Sequence, residues 1–272
     1  MTNAPKQHWK VYTMEGLCLG LFMVSASLFS MVLELPNSPV HEAIPNGFVR
    51  LIFMGVAMGL TAILIIYSPM GKLSGAHMNP AISLVFLRLG KVKRTDAIFY
   101  ILAQIIGGTV AVVITSVIFG AAFQDPPINF VITAPGRPGP LVAFAVETMM
   151  SFGMMTTVLT MSNHPTLAKY TGVIAGLLVA MFVTLSAPIS GFSINPARTL
   201  ASAIPAMQYP SLWIYLTAPF LGMFAAAEVF TYFNGKAICA KMHHSDSYLC
   251  IFNCGYCKHE HAESPAKQNL SI

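Results

Sequence analysis

The chain has 272 residues, of which 55% are hydrophobic and only 9% are Asp, Glu, Lys or Arg. A soluble domain carries about 25% charged residues, so this composition excludes an ordinary soluble domain and indicates a protein that crosses the membrane several times. The formal net charge of +5 is spread over several connections, which argues against a nucleic-acid-binding protein, because such proteins gather their basic residues in one patch or stripe.

Six apolar stretches have the roughly 20 residues that a helix needs to cross about 30 Å of hydrocarbon. In chain order they cover about residues 14–34, 48–68, 96–119, 140–161, 170–187 and 211–233. The first stretch contains Glu15 and is too long for the apolar core of a signal peptide. We therefore expect it to remain uncleaved, as the first transmembrane helix.

Lys and Arg are concentrated in alternate connections between these spans. They lie before span one (Lys6 and Lys10), between spans two and three (Lys72, Arg88, Lys91, Lys93 and Arg94), between spans four and five (Lys169) and after span six (Lys236, Lys241, Lys258 and Lys267). Because cytoplasmic loops carry such an excess, both termini are predicted to be cytoplasmic. We therefore expect a multi-pass protein of the cell membrane.

Two further apolar stretches, 79–89 and 195–205, hold about eleven residues each. As helices they would be ~16 Å long, about half the thickness of the hydrocarbon core. Such stretches must enter the membrane and return, and irregular backbone at that depth is tolerated only where it is buried in protein or lines a polar cavity. The first starts from the cytoplasmic side and the second from outside, so their N-termini are predicted to meet near the midplane.

Both short stretches begin with the same tripeptide: Asn79, Pro80 and Ala81 in the first, and Asn195, Pro196 and Ala197 in the second. Aligned at an offset of 116, residues 74–84 and 190–200 are identical at six of eleven positions. One such tripeptide is most often a turn starter. Two copies in matched surroundings instead indicate two related halves of inverted topology.

The tripeptide suits the start of a half-helix that faces a pore. Pro at the first helical position costs nothing, because its missing N–H would be unpaired there. The Asn side-chain oxygen can accept from the first turn, which leaves its NH2 group to face whatever passes. Two such amides at two converging positive helix ends would donate hydrogen bonds and repel cations. A water that turns its oxygen toward both donors interrupts the hydrogen-bonded chain along which protons move.

These motifs resemble those of the aquaporin and glycerol-facilitator superfamily over about residues 10–235. The resemblance rests on 74–81 and 190–198, on Ala103-Gln104 with Gly107-Gly108 in span three, and on Pro219 with Gly222 in span six. It implies a right-handed bundle of six transmembrane helices with two re-entrant half-helices, one pore per subunit and a homotetramer. It also implies a passive channel rather than an enzyme, with no cofactor required.

Glu15 and Glu147 stand at matching places early in spans one and four. Ionisable groups inside a membrane span are often functional, but buried charges are also retained where they are paired. We expect each carboxylate to accept hydrogen bonds from backbone N–H groups of the neighbouring re-entrant loop. The resemblance adds His77 and Gln104 as further supports of these loops.

The resemblance places the outer constriction of the pore at Arg198, Phe192, Val183 and either Met58 or Gly59. An always-charged guanidinium donates hydrogen bonds to a neutral solute and repels cations. Strict water channels usually have His where Val183 stands and a small residue or Cys where Phe192 stands. The ring predicted here is therefore apolar on two sides.

Two signals near the constriction conflict. An aromatic residue at the position of Phe192 resembles the glycerol facilitators. Thr199, however, stands where those proteins carry an Asp after the Arg, and Ala203 and Trp213 resemble the residues of water channels. We expect water permeation together with small neutral solutes such as glycerol, urea or ammonia. The alternatives are a glycerol or urea facilitator with water as a minor permeant, and a secondary transporter, since inverted repeats also build transporters.

Residues 236–272 follow the last span and are rich in Cys and His. Cys250, Cys254 and Cys257 have the spacing of radical enzymes with an iron–sulfur cluster, but 37 residues cannot form the barrel that such enzymes need. The three thiols with His259 or His261 would supply ligands that suit tetrahedral zinc. Lipidated or unmodified cysteines are the alternative.

The predicted organisation is thus an N-terminal cytoplasmic segment of 1–12, a channel domain of 13–235 and a cytoplasmic tail of 236–272. The two repeats cover about 13–119 and 140–235. The expected partners are water, small neutral solutes, the lipid bilayer and further copies of the chain, with no nucleic acid.

Overall fold

The computed structural model describes residues 4–256, and this part of the chain consists of α-helices joined by irregular connections. Within residues 4–256, six helices are long enough and apolar enough to cross a membrane. They are α1 (Ala4–Glu34), α3 (Gly47–Tyr67), α6 (Arg94–Phe119), α8 (Pro140–Ser162), α9 (Thr171–Ser190) and α11 (Leu212–Asn234). The prediction of an all-α membrane protein with six spans is confirmed.

Five shorter helices lie between the long ones. They are α2 (Pro39–Ala43), α4 (Pro69–Ser74), α5 (Pro80–Arg88), α7 (Ala121–Gln124) and α10 (Pro196–Ala206). Two short 3₁₀ turns, Asn129–Val131 and Ala168–Tyr170, complete the helical part. Helices α5 and α10 lie where the sequence predicts half-length helices.

Helix α1 begins at Ala4, about ten residues before the apolar window of span one. Its first turns are held against α6 by a polar cluster, which an apolar pattern does not report. The hydroxyl of Tyr12 donates to the buried carboxylate of Asp96 at 2.5 Å, and His8 Nδ1 lies 2.9 Å from the same oxygen. The predicted N-terminal segment is therefore helical from Ala4 and continuous with span one.

Three helix pairs make the most extensive contacts: α1 with α6, α8 with α11, and α3 with α9. Glycines let the backbones of the first two pairs approach closely. A Cβ added to Gly107 in α6 would lie 2.2 Å from the carbonyl oxygen of Gly16 in α1. A Cβ added to Gly222 in α11 would lie 2.2 Å from the carbonyl oxygen of Thr148 in α8. Small residues favour such packing in membranes. The first two pairs are equivalent in the two repeats, and the third joins the repeats.

An irregular loop precedes each half-helix, and we name residues 74–79 loop one and residues 190–195 loop two. Backbone φ is positive at equivalent positions of both: Gly75, Ala76 and Met78 in loop one, and Gly191, Phe192 and Ile194 in loop two. A positive φ is uncommon for residues other than Gly. Its recurrence at an offset of 116 shows that the two loops follow the same backbone course.

The bundle has two distinct ends. We call the end with the start of α1 and the connection from α5 to α6 the inner end, and the end with the connections from α1 to α3 and from α6 to α8 the outer end. Residues 236–256, the described part of the tail, contain no helix or strand and pack against the inner end. Loop one reaches the centre of the bundle from the inner end and loop two from the outer end.

Large apolar side chains cover much of the outside of the bundle. Leu64, Val117, Ile118 and Leu141 are each about 70–80% exposed in the isolated chain. In water such a surface would be unfavourable, at roughly 25 cal/mol for each Å² of apolar area. It suits contact with lipid or with further subunits, as expected of an integral membrane protein.

Candidate permeation pathway

The side chains of Asn79 and Asn195 cap the two half-helices. Asn79 Oδ1 accepts a hydrogen bond from the N–H of Ala81 at 2.9 Å, and Asn195 Oδ1 accepts from the N–H of Ala197 at 3.0 Å. The proline after each asparagine occupies the first helical turn, where its missing N–H leaves no bond unmade. Both asparagines have extended backbone, which turns the chain from loop to helix.

Each asparagine amide also reaches across to the other loop. Asn79 Nδ2 donates to the carbonyl oxygen of Ile194 at 2.8 Å, and Asn195 Nδ2 donates to that of Met78 at 2.6 Å. An amide nitrogen carries two N–H bonds, so one is used between the loops and the second is left for another acceptor. The sequence predicts an NH2 group with both bonds free. The reciprocal pair instead fixes the direction in which the remaining donor points.

A narrow central cavity of about 80 Å³ lies between the half-helices. Its polar lining comes from His77, Asn79, Ser193, Asn195 and Arg198. The remaining lining is apolar: Leu19, Phe22, Ala62, Ile66, Met78, Ile82, Met154, Ala175, Val179, Phe192, Ile194 and Met242. Among the residues that the structure describes, no carboxylate lines this cavity. Its walls therefore suit a small neutral molecule that accepts hydrogen bonds.

A second cavity, of about 340 Å³, opens at the outer end. It shares Phe22, Phe192 and Arg198 with the central cavity, so these three side chains stand at the junction. Val183 and Met58 line the outer cavity beside them. The structure thus brings the four predicted constriction residues into one region.

The sequence left the fourth constriction position open between Met58 and Gly59. Gly59 faces α9, because a Cβ added to it would lie 2.5 Å from the carbonyl oxygen of Gly176. Met58 lines the outer cavity. The geometry therefore favours Met58 as the residue on the pathway and gives Gly59 a role in helix packing.

The guanidinium of Arg198 keeps a buried donor without a partner. Its Nη1 atom is buried and makes no hydrogen bond, and none of the ion pairs between described residues includes Arg198. The backbone N–H of Arg198 is fixed by Asn195 Oδ1 at 3.2 Å. A buried N–H without a partner is costly, so this donor is well placed to bind a solute at the junction.

Glu147 is fully buried in α8 and binds three donors of loop two. Its Oε1 atom accepts from the hydroxyl of Ser190 at 2.7 Å and from the N–H of Ser193 at 2.9 Å. Its Oε2 atom accepts from the N–H of Ile194 at 2.6 Å. These bonds hold loop two in its irregular conformation, because the backbone N–H groups of Ser193 and Ile194 have no helical partner.

Glu15 has the corresponding position in α1 and is also fully buried. Its Oε1 atom accepts from the N–H of Met78 in loop one and from Gln104 Nε2 at 2.7 Å. Gln104 Nε2 is also 3.2 Å from the hydroxyl of Ser83 in α5. One carboxylate therefore joins α1, loop one and α6.

His77 differs from its counterpart Ser193 because its partners lie outside loop one. Its Nδ1 atom is 3.0 Å from the hydroxyl of Ser83, and its Nε2 atom is 2.7 Å from the carbonyl oxygen of Ala240 in the tail. A carbonyl oxygen can only accept, so Nε2 carries the proton. His77 thus connects loop one to the tail.

Two buried tyrosines were not singled out by sequence reasoning. Tyr100 donates to the carbonyl oxygen of Ser74, and Tyr215 donates to that of Ser190. The acceptors are related by the offset of 116 between the loops. The only sequence signal would be a Tyr within an apolar span, whose hydroxyl needs a partner when it is buried.

The tail contains a group of four possible metal ligands: Cys239, His244, Cys250 and Cys254. Their ligand atoms all lie within 4.8 Å of one another. The pKa of Cys239 is raised, first by hydrogen bonds with the thiols of Cys250 and Cys254 and then by burial. Sequence reasoning proposed two of these four residues.

Three residues of the predicted zinc set, Cys257, His259 and His261, lie outside the described residues. The two ligands that the sequence prediction did not include, Cys239 and His244, come earlier in the tail. They are brought to Cys250 and Cys254 because the chain turns back on itself, with the N–H of Gly255 donating to the carbonyl oxygen of Ile238 at 2.8 Å.

The chain matches the profile of the Major intrinsic protein family over residues 4–231. "Probable aquaporin NIP7-1" of Arabidopsis thaliana is 33% identical over 189 residues, which are 69% of this chain and 66% of the relative. "Aquaporin NIP1-1" of the same plant is 30% identical over 212 residues, which are 77% of this chain and 69% of the relative. The matched part thus spans about two thirds of each relative's length.

Among solved structures, the X-ray structure of the aquaglyceroporin from Plasmodium falciparum matches with a TM-score of 0.65. The match covers 82% of this chain and 95% of the other, at 17% sequence identity. At that identity the comparison shows a shared fold.

Proposed function

The chain belongs to the Major intrinsic protein family, and from this membership we propose that it is a passive channel for water and small neutral solutes that excludes protons and ions. It is a channel protein and not an enzyme.

The observation that carries the proposal is the pair of asparagine amides at the centre of the bundle. Asn79 and Asn195 each keep one N–H for the cavity after binding the opposite loop. They stand at the positive ends of α5 and α10, whose dipoles both disfavour a cation. A water molecule that accepts from both amides cannot also pass a proton along a continuous hydrogen-bonded chain.

The composition of the walls supports a channel over a secondary transporter. An ion-coupled transporter would place acidic or cationic groups along its pathway near the midplane. In the described chain the ionisable residues that line the central cavity are His77 and Arg198. Glu15 and Glu147 are bound to the loops, and we assign them the role of holding the loops in shape.

The constriction supports small neutral solutes in addition to water. Phe192, Val183 and Met58 give the outer cavity apolar walls, and Arg198 supplies a donor beside them. Apolar walls suit the carbon atoms of a solute such as glycerol, while the guanidinium binds its hydroxyl or carbonyl oxygen. Urea and ammonia fit the same description.

The protein is an integral multi-pass membrane protein. We assign the inner end to the cytoplasm, because the basic connections and the tail lie there. We assign the cell membrane as its location and a homotetramer as its assembly, with the exposed apolar faces of the helices contacting lipid and neighbouring subunits.

Permeation itself is proposed to need no cofactor. None of the four Cys and His side chains of the tail group lines the central cavity. Three thiols and one imidazole are the ligand types of structural zinc sites, so zinc is the metal that we assign to this group. The group lies outside the central cavity.

Osmotic shrinking of proteoliposomes tests the proposal. Vesicles with the full-length protein, measured with and without a metal chelator, should shrink faster than empty vesicles in an impermeant osmolyte. In a glycerol gradient they should then reswell as glycerol enters. Rates equal to those of empty vesicles in both media, with and without the chelator, would reject the channel.

A further inference from the structure

The Cys and His group of the tail has the dimensions of a tetrahedral metal site. Cys239 Sγ lies 3.7 Å from Cys250 Sγ, and both Cys239 Sγ and Cys254 Sγ lie 3.7 Å from His244 Nδ1. A zinc ion with Zn–S bonds of about 2.3 Å would separate two sulfur ligands by ~3.8 Å. A disulfide, at about 2.05 Å, is much shorter. The spacing therefore excludes a disulfide and fits ligands around an ion.

The imidazole of His244 is oriented as a metal ligand should be. Its Nδ1 atom faces the sulfurs, while Nε2 lies 3.2 Å from the carboxylate of Asp246. Ligand histidines commonly donate their second ring N–H to a carboxylate, which fixes the tautomer and the ring orientation. The ring also stacks on Tyr256 with centroids 5.0 Å apart. This arrangement is a second, independent indication of a metal site.

The described tail keeps one irregular course through burial and through hydrogen bonds to the inner end. It forms no helix or strand, yet Ala240, Lys241 and Met242 are almost fully buried. Lys241 Nζ donates to the carbonyl oxygens of Lys72 and Leu249 at 2.7 and 2.8 Å. Small irregular segments usually need a metal or disulfides to keep one conformation.

The same segment lies across the inner side of loop one. The N–H of Met242 donates to the carbonyl oxygen of Gly75 at 3.1 Å, and His77 Nε2 donates to Ala240 at 2.7 Å. Phe252 stacks on His77 with ring centroids 5.4 Å apart. We name residues 240–242 the tail strap. It is attached to the pore by loop one and to the metal ligands by Cys239.

Met242 of the tail strap stands between two cavities. It lines the central cavity together with His77 and Ile66. It also lines a cavity of about 320 Å³ on the inner side, which is bordered by Lys169 and His243. Met242 is buried and borders both cavities, so it lies between them at the inner end of the central cavity.

We propose that the tail is a metal-dependent plug: an ion bound by Cys239, His244, Cys250 and Cys254 holds the tail strap across the inner mouth, and its loss releases Met242 and opens the pore. The inference rests on the proposed channel function. The ligand class is a zinc-type divalent ion, and the plug acts on water and solute alike because Met242 precedes the asparagine pair.

The size of the effect follows from the two-state equilibrium. A change from about one open pore in ten to about nine in ten requires that the ion bind the closed form roughly 100-fold more tightly than the open form. The osmotic water permeability of full-length protein should then rise about tenfold when the metal is removed. Readdition of zinc should reverse the rise.

The site is tested first with cobalt(II), whose absorption spectrum reports tetrahedral thiolate ligation. The full-length protein should bind one ion per chain, and the double variant Cys239→Ser/Cys250→Ser should lose the spectrum. Asp246→Asn should weaken binding by about 10–100-fold. Cys257→Ser is the matched control and should bind as the parent does. Binding retained by the double variant, or lost in Cys257→Ser, would overturn this ligand set.

The plug is tested by water flow in proteoliposomes with zinc or with a membrane-permeant chelator. Met242→Ala should keep the cobalt spectrum and conduct water in zinc as fast as the chelated parent. Equal water flow of the parent in zinc and in chelator would overturn the plug while leaving the channel. Absence of flow in the parent and in Met242→Ala under both conditions would reject the channel function, and the plug with it.

Discussion

Loop one and loop two share a backbone and differ in what covers them. Both have positive φ at three equivalent positions, both are bound by a buried Glu and a Tyr hydroxyl, and both end in a capping asparagine. Loop two carries Phe192 and leads to Arg198, which face the outer cavity. Loop one carries His77, which binds the tail. The repeated residues give the two loops one shape, and the residues that differ give the two cavities different surroundings.

The largest effect is expected from removing a loop support. Glu147→Ala would leave two backbone N–H groups of loop two unpaired and remove an acceptor from the hydroxyl of Ser190. Glu15→Ala would leave the N–H of Met78 unpaired and remove one of the acceptors of Gln104. Hydrogen bonds to charged groups contribute about 1.5–3 kcal/mol each, so both variants should unfold at clearly lower temperature in detergent and lose most of their water flow.

Glu228 provides the control for this pair of variants. It forms an exposed ion pair with Arg88 at the surface, at 3.1 Å. Exposed pairs are worth about 0–1 kcal/mol, so Glu228→Ala should behave as the parent. An effect of Glu147→Ala without a similar effect of Glu15→Ala would show that the two loops are held by different means.

The next effect concerns solute selection at the outer mouth. Val183→His would replace one of the apolar side chains beside Phe192 and Met58 with a polar, bulkier one. Changes of this kind in a pocket discriminate solutes by about tenfold or more, so the ratio of glycerol to water flux should fall about tenfold while water flow is largely kept.

Val183→Ile is the control, because it keeps the apolar character of the wall and should leave the flux ratio near that of the parent. The comparison of the loops predicts that neither variant changes the response to zinc, which acts at the inner mouth. An unchanged flux ratio in Val183→His would mean that the constriction lies at other residues.

The smallest effect is expected from the paired tyrosines. Tyr100→Phe and Tyr215→Phe each remove one hydrogen bond to a loop carbonyl, at Ser74 and Ser190. A typical bond contributes about 0.5–1.5 kcal/mol, so each variant should lower the unfolding temperature slightly and by a similar amount. A large difference between the two, measured by thermal unfolding in the same detergent, would break the equivalence of the loops.

The symmetrical part of the molecule could be predicted from the sequence, because it depends on patterns of neighbouring residues. Apolar stretches of full and half length gave the helices, and two copies of one tripeptide gave the meeting of the half-helices. Glu15 and Glu147 stood out because a charge in an apolar span needs a partner. The choice between Met58 and Gly59 for the fourth constriction position could not be made from the sequence, since adjacent residues of a helix lie on different faces.

The asymmetrical part could not be predicted, because it depends on contacts between residues distant in sequence. Ala240 is 163 residues from His77, and no spacing rule relates them. Cys239 and His244 lie near Cys250 and Cys254 because the tail folds back. The spacing of the later cysteines in the sequence instead predicted Cys257 as a ligand. The difference between the mouths is therefore a tertiary property.

The central claim is that the opposed asparagine amides pass water and stop protons. The most direct test measures both fluxes in the same vesicles, with full-length protein freed of metal and a pH-sensitive dye inside. We expect fast osmotic water flow with a low activation energy, and a rate of pH equilibration equal to that of empty vesicles. A proton conductance that rises with the amount of protein in step with the water flux would contradict the account.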